Sequence, residues 1–272
     1  MKNRSLLLFL VTALGGFLGF LIQPVNSAAK IIKCTGNIPE LTACLIEANT
    51  YKIDTYRIDI CKESPFPAYR SSADYAGAGC MTLFNGNGDL FKRDLSQSSS
   101  YKIPTTGRDS IKSGKYKYLT MVLKNGFTSS GKYTSGNTTW RTLGPNVNNL
   151  ETSKGEPIPF TVKLNNWRGS NDSNNDYCDN NGGTFSRCEM NYNGYDLTGI
   201  GLGSDFIETY GKNVTYMFYM VELSSPIILK KDFDGYFDLK VKANLEVYGN
   251  GSIVQSISTA PFIFQATYIN NQ

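Results

Sequence analysis

The chain holds six cysteines and no histidine, and those two counts decide most of the chemistry open to it. Cys34, Cys44, Cys61, Cys80, Cys178 and Cys188 form an even set, which in an exported chain reads as a disulfide framework. Short loops close most readily, so the expected bridges are Cys34–Cys44, Cys61–Cys80 and Cys178–Cys188. The competing use is thiolate metal ligation, but no CxxC pair exists and scattered thiols do not suit zinc. Without imidazole there is no Ser–His–Asp triad and no Cys–His pair within this chain. The commonest ligand for zinc, copper and non-haem iron is missing too, and no cofactor is expected. An enzyme would be left with carboxylates, Lys, Tyr or Ser, and glycoside hydrolysis is the main chemistry that runs on two carboxylates.

Three stretches imitate binding motifs. Gly126, Gly131 and Lys132 have the spacing of a phosphate loop, but Tyr133 stands where a metal-binding hydroxyl belongs and no helix follows. A turn explains the glycines better. Gly199, Gly201 and Gly203 resemble the start of a dinucleotide fingerprint without the surrounding βαβ unit. Asn165–Asn181 is denser in turn-forming side chains, with seven Asn and three Asp in its 17 residues. There Asp172, Asn174 and Asp176 have the first spacings of a calcium loop. Yet Tyr177 replaces the turn glycine and Gly183 the closing glutamate, so a solvated loop pinned by Cys178–Cys188 is the expectation. The two tryptophans, Trp140 and Trp167, both lie beside polar loops. Exposed, they would stack on sugar rings; buried in a core is the commoner fate.

The elements that must carry these residues are strands. Tyr51–Cys61 alternates with a phase slip near Asp54–Thr55: Tyr51 and Ile53 share one face, then Tyr56, Ile58 and Ile60 share one, as when a bulge inserts a residue. Cys61 ends this strand and Cys80 begins the next. Lys115–Leu123 and Thr215–Leu223 are apolar on both faces and should run through the centre of the core. Asn85-Gly86-Asn87-Gly88, Asn125-Gly126 and Asn250-Gly251 are tight-turn signals, and Phe262–Ile269 should close a sheet. Between Cys34 and Cys44, Pro39 and the Leu41, Leu45 spacing suggest one short helix. Ser96–Gly107 is polar and reads as irregular. The fold expected is an all-β antiparallel sandwich of immunoglobulin-like character, with roughly ten to fourteen strands from the turn spacing.

The first 27 residues look like a secretory signal: Lys2 and Arg4, an apolar run from Leu6 to Ile22, then small residues up to Ser27. An uncleaved anchor is the alternative. Residues 28–272 are then one large disulfide-stapled region rather than two small ones. The net charge of +4 falls to +2 once Lys2 and Arg4 are removed, too little and too dispersed for a nucleic-acid footprint. The expected function is a non-catalytic envelope or cell-surface protein, structural or adhesive, meeting other surface proteins or glycans. A carbohydrate-binding module is the first alternative and a carboxylate-dependent glycoside hydrolase the second. The former would need at least two coplanar exposed aromatics on one sheet; the latter, two acids facing each other in a cleft.

Overall fold

The computed structural model describes residues 32–66, 71–86, 91–94, 99–104, 112–152, 154–163, 177–178, 187–192, 195–209, 211–230, 235–260 and 262–270. The expected signal segment, Trp167, Asp172, Asn174 and Asp176 lie outside them. The strands in chain order begin with β1 (Ile32–Lys33), β2 (Ile38–Glu47), β3 (Thr50–Cys61), β4 (Met81–Asn85), β5 (Phe91–Asp94) and β6 (Ser99–Pro104). Next come β7 (Gly114–Lys124), β8 (Phe127–Ser130), β9 (Lys132–Ser135), β10 (Thr138–Thr142), β11 (Leu150–Glu151), β12 (Phe160–Val162) and β13 (Tyr177–Cys178). The chain continues through β14 (Arg187–Tyr192), β15 (Tyr195–Leu202), β16 (Tyr216–Leu229), β17 (Gly235–Lys242), β18 (Asn244–Gly251), β19 (Ile253–Thr259) and β20 (Ile263–Asn270). Several antiparallel sheets pack together as a β-sandwich. The large sheet runs β12-β8-β3-β7-β16-β15-β14-β13, with β4 and β5 also on β3; the smaller sheets are β1-β2-β18-β19, β20-β17-β6 and β11-β10-β9.

Strand β3 is the hub, and its register explains why there are more strands than turn spacing suggested. Lys52 pairs with Asp94 of β5 and Thr128 of β8, while Thr55 pairs with Phe91 of β5 and Leu123 of β7. A strand residue has only two edges, so β7 and β8 follow each other along one edge of β3, and β4 and β5 along the other. Asn125-Gly126 is therefore no hairpin but a two-residue interruption in one long strand. Asn85-Gly86 likewise opens an insertion, not a tight turn. Asn125 makes use of its interruption: its Nδ2 donates to the Val214 carbonyl at 3.0 Å, and its N–H donates to that of Thr215 at 3.0 Å. Asn250-Gly251 does form the expected hairpin, between β18 and β19.

Two further segments depart from expectation. No helix forms between Cys34 and Cys44; Ile38–Glu47 is a strand paired on both sides, to β1 and β18. Sheet pairing overrides the local helical spacing, and Pro39 falls where the register to β18 shifts, a place that tolerates a missing N–H. Ser99–Pro104, inside the stretch read as irregular, pairs along β17.

The main core fills the space between the large sheet and the smaller ones. Ile58 and Ile60 of β3, Leu119, Met121 and Leu123 of β7, and Met217, Tyr219 and Val221 of β16 face Leu245 and Val247 of β18 and Phe237, Leu239 and Val241 of β17. Tyr116 joins this core while Tyr118 packs against the outer cluster, and the β7–β16 register shifts between their pairs with Ile227 and Glu222. Two tyrosines also tie the layers. Tyr51 Oη donates to the Ala260 carbonyl at 2.9 Å and Tyr219 Oη to that of Phe262 at 2.6 Å. Buried bonds of this kind contribute about 1 kcal/mol each. Gly131 of the apparent phosphate loop packs in the same core: a Cβ there would lie 2.4 Å from Leu245 Cδ1.

Candidate functional site

The opposite face of the large sheet is covered by loops. Alternation turns Val122 of β7, Phe218 and Met220 of β16, and Ile200 and Leu202 of β15 away from the main core, and they form a second buried cluster. Residues 62–66 and 71–79 fold over it as a lid held at its two ends by the Cys61–Cys80 bridge, with Cα atoms 3.9 Å apart. Inside the lid, Asp74 N–H donates to the Pro65 carbonyl at 2.8 Å and Lys62 N–H to that of Ala78 at 3.2 Å. Phe66 seats the lid, its ring 4.6 Å from that of Phe218. Ser72 bridges to Ile207, which joins the lid to the turn Gly203–Ile207.

Where lid and turn meet, three aromatic rings come together. Tyr56 arrives through the bulge of β3: Thr55 pairs with Leu123 and Arg57 with Val122, leaving Tyr56 as the extra residue. The phase slip is real, but Tyr56 does not share a face with Ile58 and Ile60. It packs with the outer cluster while they enter the main core. Phe206 arrives through backbone strain, with φ at 61°, and is the one non-glycine residue with positive φ among the described residues. For an L-residue that conformation costs about 1–2 kcal/mol. Gly203 permits the turn that imposes it: Phe206 N–H donates to the Gly203 carbonyl at 3.1 Å, and Gly203 N–H to that of Ile207 at 2.9 Å. Tyr216 completes the group. Phe206 stacks on Tyr216 at 4.7 Å and 17°, and Tyr56 lies 5.1 Å from Phe206 and 5.5 Å from Tyr216, tilted by 40° and 55°. All three are half-exposed, and Ile207 beside them is 45% exposed.

Next to the rings lies a bidentate ion pair. Arg57 Nε and Nη2 donate to the two oxygens of Asp59 at 2.7 and 2.8 Å. Thr82 Oγ1 donates to Asp59 at 2.7 Å and accepts from Arg57 Nη2 at 2.9 Å. The guanidinium sits 3.9 Å above the Tyr75 ring of the lid, a cation–π contact. Asp59 has no exposed surface. Burial pushes its carboxyl above the usual carboxylate range, and the bonds from Arg57 and Thr82 only partly offset this. For Arg57, burial opposes the charge, but bonding to Asp59 and its charge hold the guanidinium above its ordinary value. Burial, then the Asp59 charge, pushes the Tyr75 phenol up. Both Asp59 oxygens and the Thr82 hydroxyl are engaged by protein partners, and the network fastens β3 to β4.

The remaining candidates are dispersed. Trp140 is half-buried on the strand face that also buries Thr142, and its Nε1 donates to the Ser252 carbonyl at 3.1 Å. It packs against the main core and braces the β18–β19 turn. The bridges Cys34–Cys44 and Cys61–Cys80 are formed as expected. Cys188 is disulfide-bonded, and the register sets Cys178 opposite it. Glu208, another buried acid, meets Arg187 Nη2 at 3.4 Å. Among the described residues no three of Cys, Asp and Glu gather as a metal site. The glycine run has a packing cause: a Cβ on Gly201 would lie 2.7 Å from the Thr209 carbonyl oxygen. Sequence reasoning passed over Phe206 and Tyr216. For Phe206 the signal was the Gly203-Ser204-Asp205 turn chemistry that precedes it. No protein-family model, no curated protein and no solved structure matches this chain.

Proposed function

We propose that the chain is an exported, non-catalytic surface protein with a structural or adhesive role. The observation that carries this reading is the stapling of a β-sandwich by intramolecular disulfides, since such bridges are typical of exported proteins and persist in oxidising compartments. The fate of the acidic side chains supports the non-catalytic part. Asp59 and Glu208 are buried, and each is held by an arginine instead of facing a second carboxylate, whereas two-carboxylate hydrolysis needs opposed acids about 5–9 Å apart. Fractionation of the producing cells with N-terminal sequencing tests the reading. The expected result is oxidised protein outside the cytoplasm with a mature chain beginning near Ala28. Reduced protein in the cytosol beginning at Met1 would refute it.

A further inference from the structure

Three of the described asparagines, Asn137, Asn213 and Asn250, sit at turns that do not need them. Asparagine is favoured in turns because it tolerates left-handed backbone and because its side chain bonds nearby backbone groups. Neither reason applies here. The left-handed angle in each turn is taken by a glycine, Gly136, Gly211 or Gly251, at φ 59°, 69° and 58°. The three asparagines are exposed, and their side-chain amides meet no partner among the described residues. Other loop asparagines behave differently. Asn125 Nδ2 donates to the Val214 carbonyl at 3.0 Å, Asn149 Nδ2 to that of Gly144 at 2.6 Å, and Asn146 Oδ1 accepts from the Asn148 N–H at 3.2 Å. What the idle three share is a hydroxyl residue two places on: Asn137-Thr138-Thr139, Asn213-Val214-Thr215 and Asn250-Gly251-Ser252. The working three have Phe127, Asn148 and Glu151 there.

The structure assigns Asn137, Asn213 and Asn250 as acceptor sites for N-linked oligosaccharide. This rests on the export reading and names a modification that the exported chain receives. Asn-x-Ser/Thr, with x other than Pro, is the acceptor pattern, and the glycan it carries is bulky and solubilising, so it fits only at the surface. The donor is an oligosaccharide joined to a polyprenyl diphosphate. In the transfer, asparagine Nδ2 forms a bond to the anomeric carbon of the first sugar and gives up one proton. The anomeric C–O bond to the diphosphate breaks, and the lipid diphosphate leaves with the electron pair. The folded positions accommodate the product. Asn137 lies at the tip of the β9–β10 hairpin, Asn250 at the head of the β18–β19 hairpin, and Asn213 ends the short 3-10 helix Gly211–Asn213 before β16. The two hairpins lie side by side, Ser135 Oγ donating to the Gly251 carbonyl at 2.7 Å, so two of the glycans share one corner of the molecule.

The test uses the full chain purified from the cells that produce it. Digestion with a peptide-N-glycosidase in heavy-oxygen water turns each glycosylated asparagine into a labelled aspartate, which peptide mass mapping locates. The expected result is label at Asn137, Asn213 and Asn250, and none at Asn37 or Asn148, which are exposed but lack the tripeptide. Thr215→Ala removes the label from Asn213 alone, and Thr215→Ser keeps it, because the pattern requires the hydroxyl and not the methyl group. The digestion is made on denatured protein, so a variant that folds poorly still reports its glycans. Label at two or more of the three sites upholds the inference; label at one or none overturns it, as does label at Asn213 that survives Thr215→Ala. Exported, oxidised protein without label leaves the surface reading standing, whereas reduced cytosolic protein defeats both.

Discussion

The large sheet has two covered faces, and they are built by different rules. The inner face follows strand alternation alone: Leu119, Met121 and Leu123, or Met217, Tyr219 and Val221, alternate with residues pointing away, and another layer of sheets closes over them. The outer face is assembled from exceptions, namely a bulge at Tyr56, a left-handed Phe206, a disulfide-bounded lid and a buried ion pair. Regular pattern makes the interior that holds the fold together, and departures from pattern cover the opposite face.

Truncating one aromatic on each face compares the two directly. Phe237 and Phe218 both have no exposed surface, and each change to Ala is expected to cost about 3–5 kcal/mol, read from the denaturant midpoint. The difference should appear in hydrogen exchange. Phe237→Ala raises exchange throughout the smaller sheets as well as the large one. Phe218→Ala concentrates its effect in residues 62–66 and 71–79 and the turn at 203–207. Equal spreading in both variants would mean that the faces form one cooperative unit.

Removing the lid's staple comes next. Cys61→Ser with Cys80→Ser should cost about 3 kcal/mol, the loop-closure value for a loop of this length, because the bridge joins residues 19 apart. The same change at Cys34 and Cys44, 10 apart, should cost somewhat less, and it should loosen β2 while the outer face stays intact. Arg57→Met follows. It strands a carboxylate with no exposed surface and is expected to cost about 2–3 kcal/mol. That lies below the full range for a buried pair because a quarter of the Arg57 side chain is solvated. Adding Asp59→Asn should restore part of the loss, and a double variant no better than the single would show that the pair's packing, not its charge, matters.

A smaller effect isolates the strain. At most positions Ala is more stabilising than Gly; at Phe206 the order should invert, with Phe206→Gly about 1 kcal/mol more stable than Phe206→Ala. Matched midpoints would remove the strain from the account. The smallest effect contrasts two acids. Asp59 has Arg57, whereas Glu246 on β18 has no partner among the described residues, and burial alone raises its pKa. Its folded form therefore holds the proton more tightly than its unfolded form. That contribution to stability is present at low pH and is lost as pH rises from the ordinary glutamate range, about 4.3, through the raised value. Glu246→Gln should match the parent in acid and exceed it at neutral pH. A parent more stable than the variant at pH 7 would contradict this sign.

The inner face was legible in the residues because it obeys one period. The apolar runs of β7 and β16 marked central strands, Asn250-Gly251 marked a true hairpin, and adjacent cysteines marked the Cys34–Cys44 and Cys61–Cys80 bridges. The outer face was legible at the Cys61–Cys80 bridge, in the second apolar faces of β7 and β16, and at Tyr56, where the period slips. Phe206 escaped because left-handed geometry at a phenylalanine has no local preference to betray it; the turn around it imposes the angle. Asn125-Gly126 misled for a related reason. The pair supplies the same backbone freedom to a hairpin and to a break in a long strand, and only the distant partner β3 decides between them. The helix expected near Leu41 failed because β18, some two hundred residues further on, supplies the pairing that outweighs local spacing.

That last pairing also sets the order in which the fold can close. Among the described residues, strand β2 pairs with the two residues of β1 and with β18, so during synthesis it waits for nearly the entire chain. Until Asn244–Gly251 has emerged, the apolar side chains Leu45 and Ile46, buried in the finished protein, have no sheet to enter. Contacts so distant in sequence make folding slow and leave an early segment open to misassociation. A polypeptide released before residue 244 would carry an intact β3 with both flanking strands and an orphaned N-terminal edge. The chain's last tenth thus acts as the latch of its first strands, and a late truncation should harm solubility more than its distance from the outer aromatic cluster would suggest.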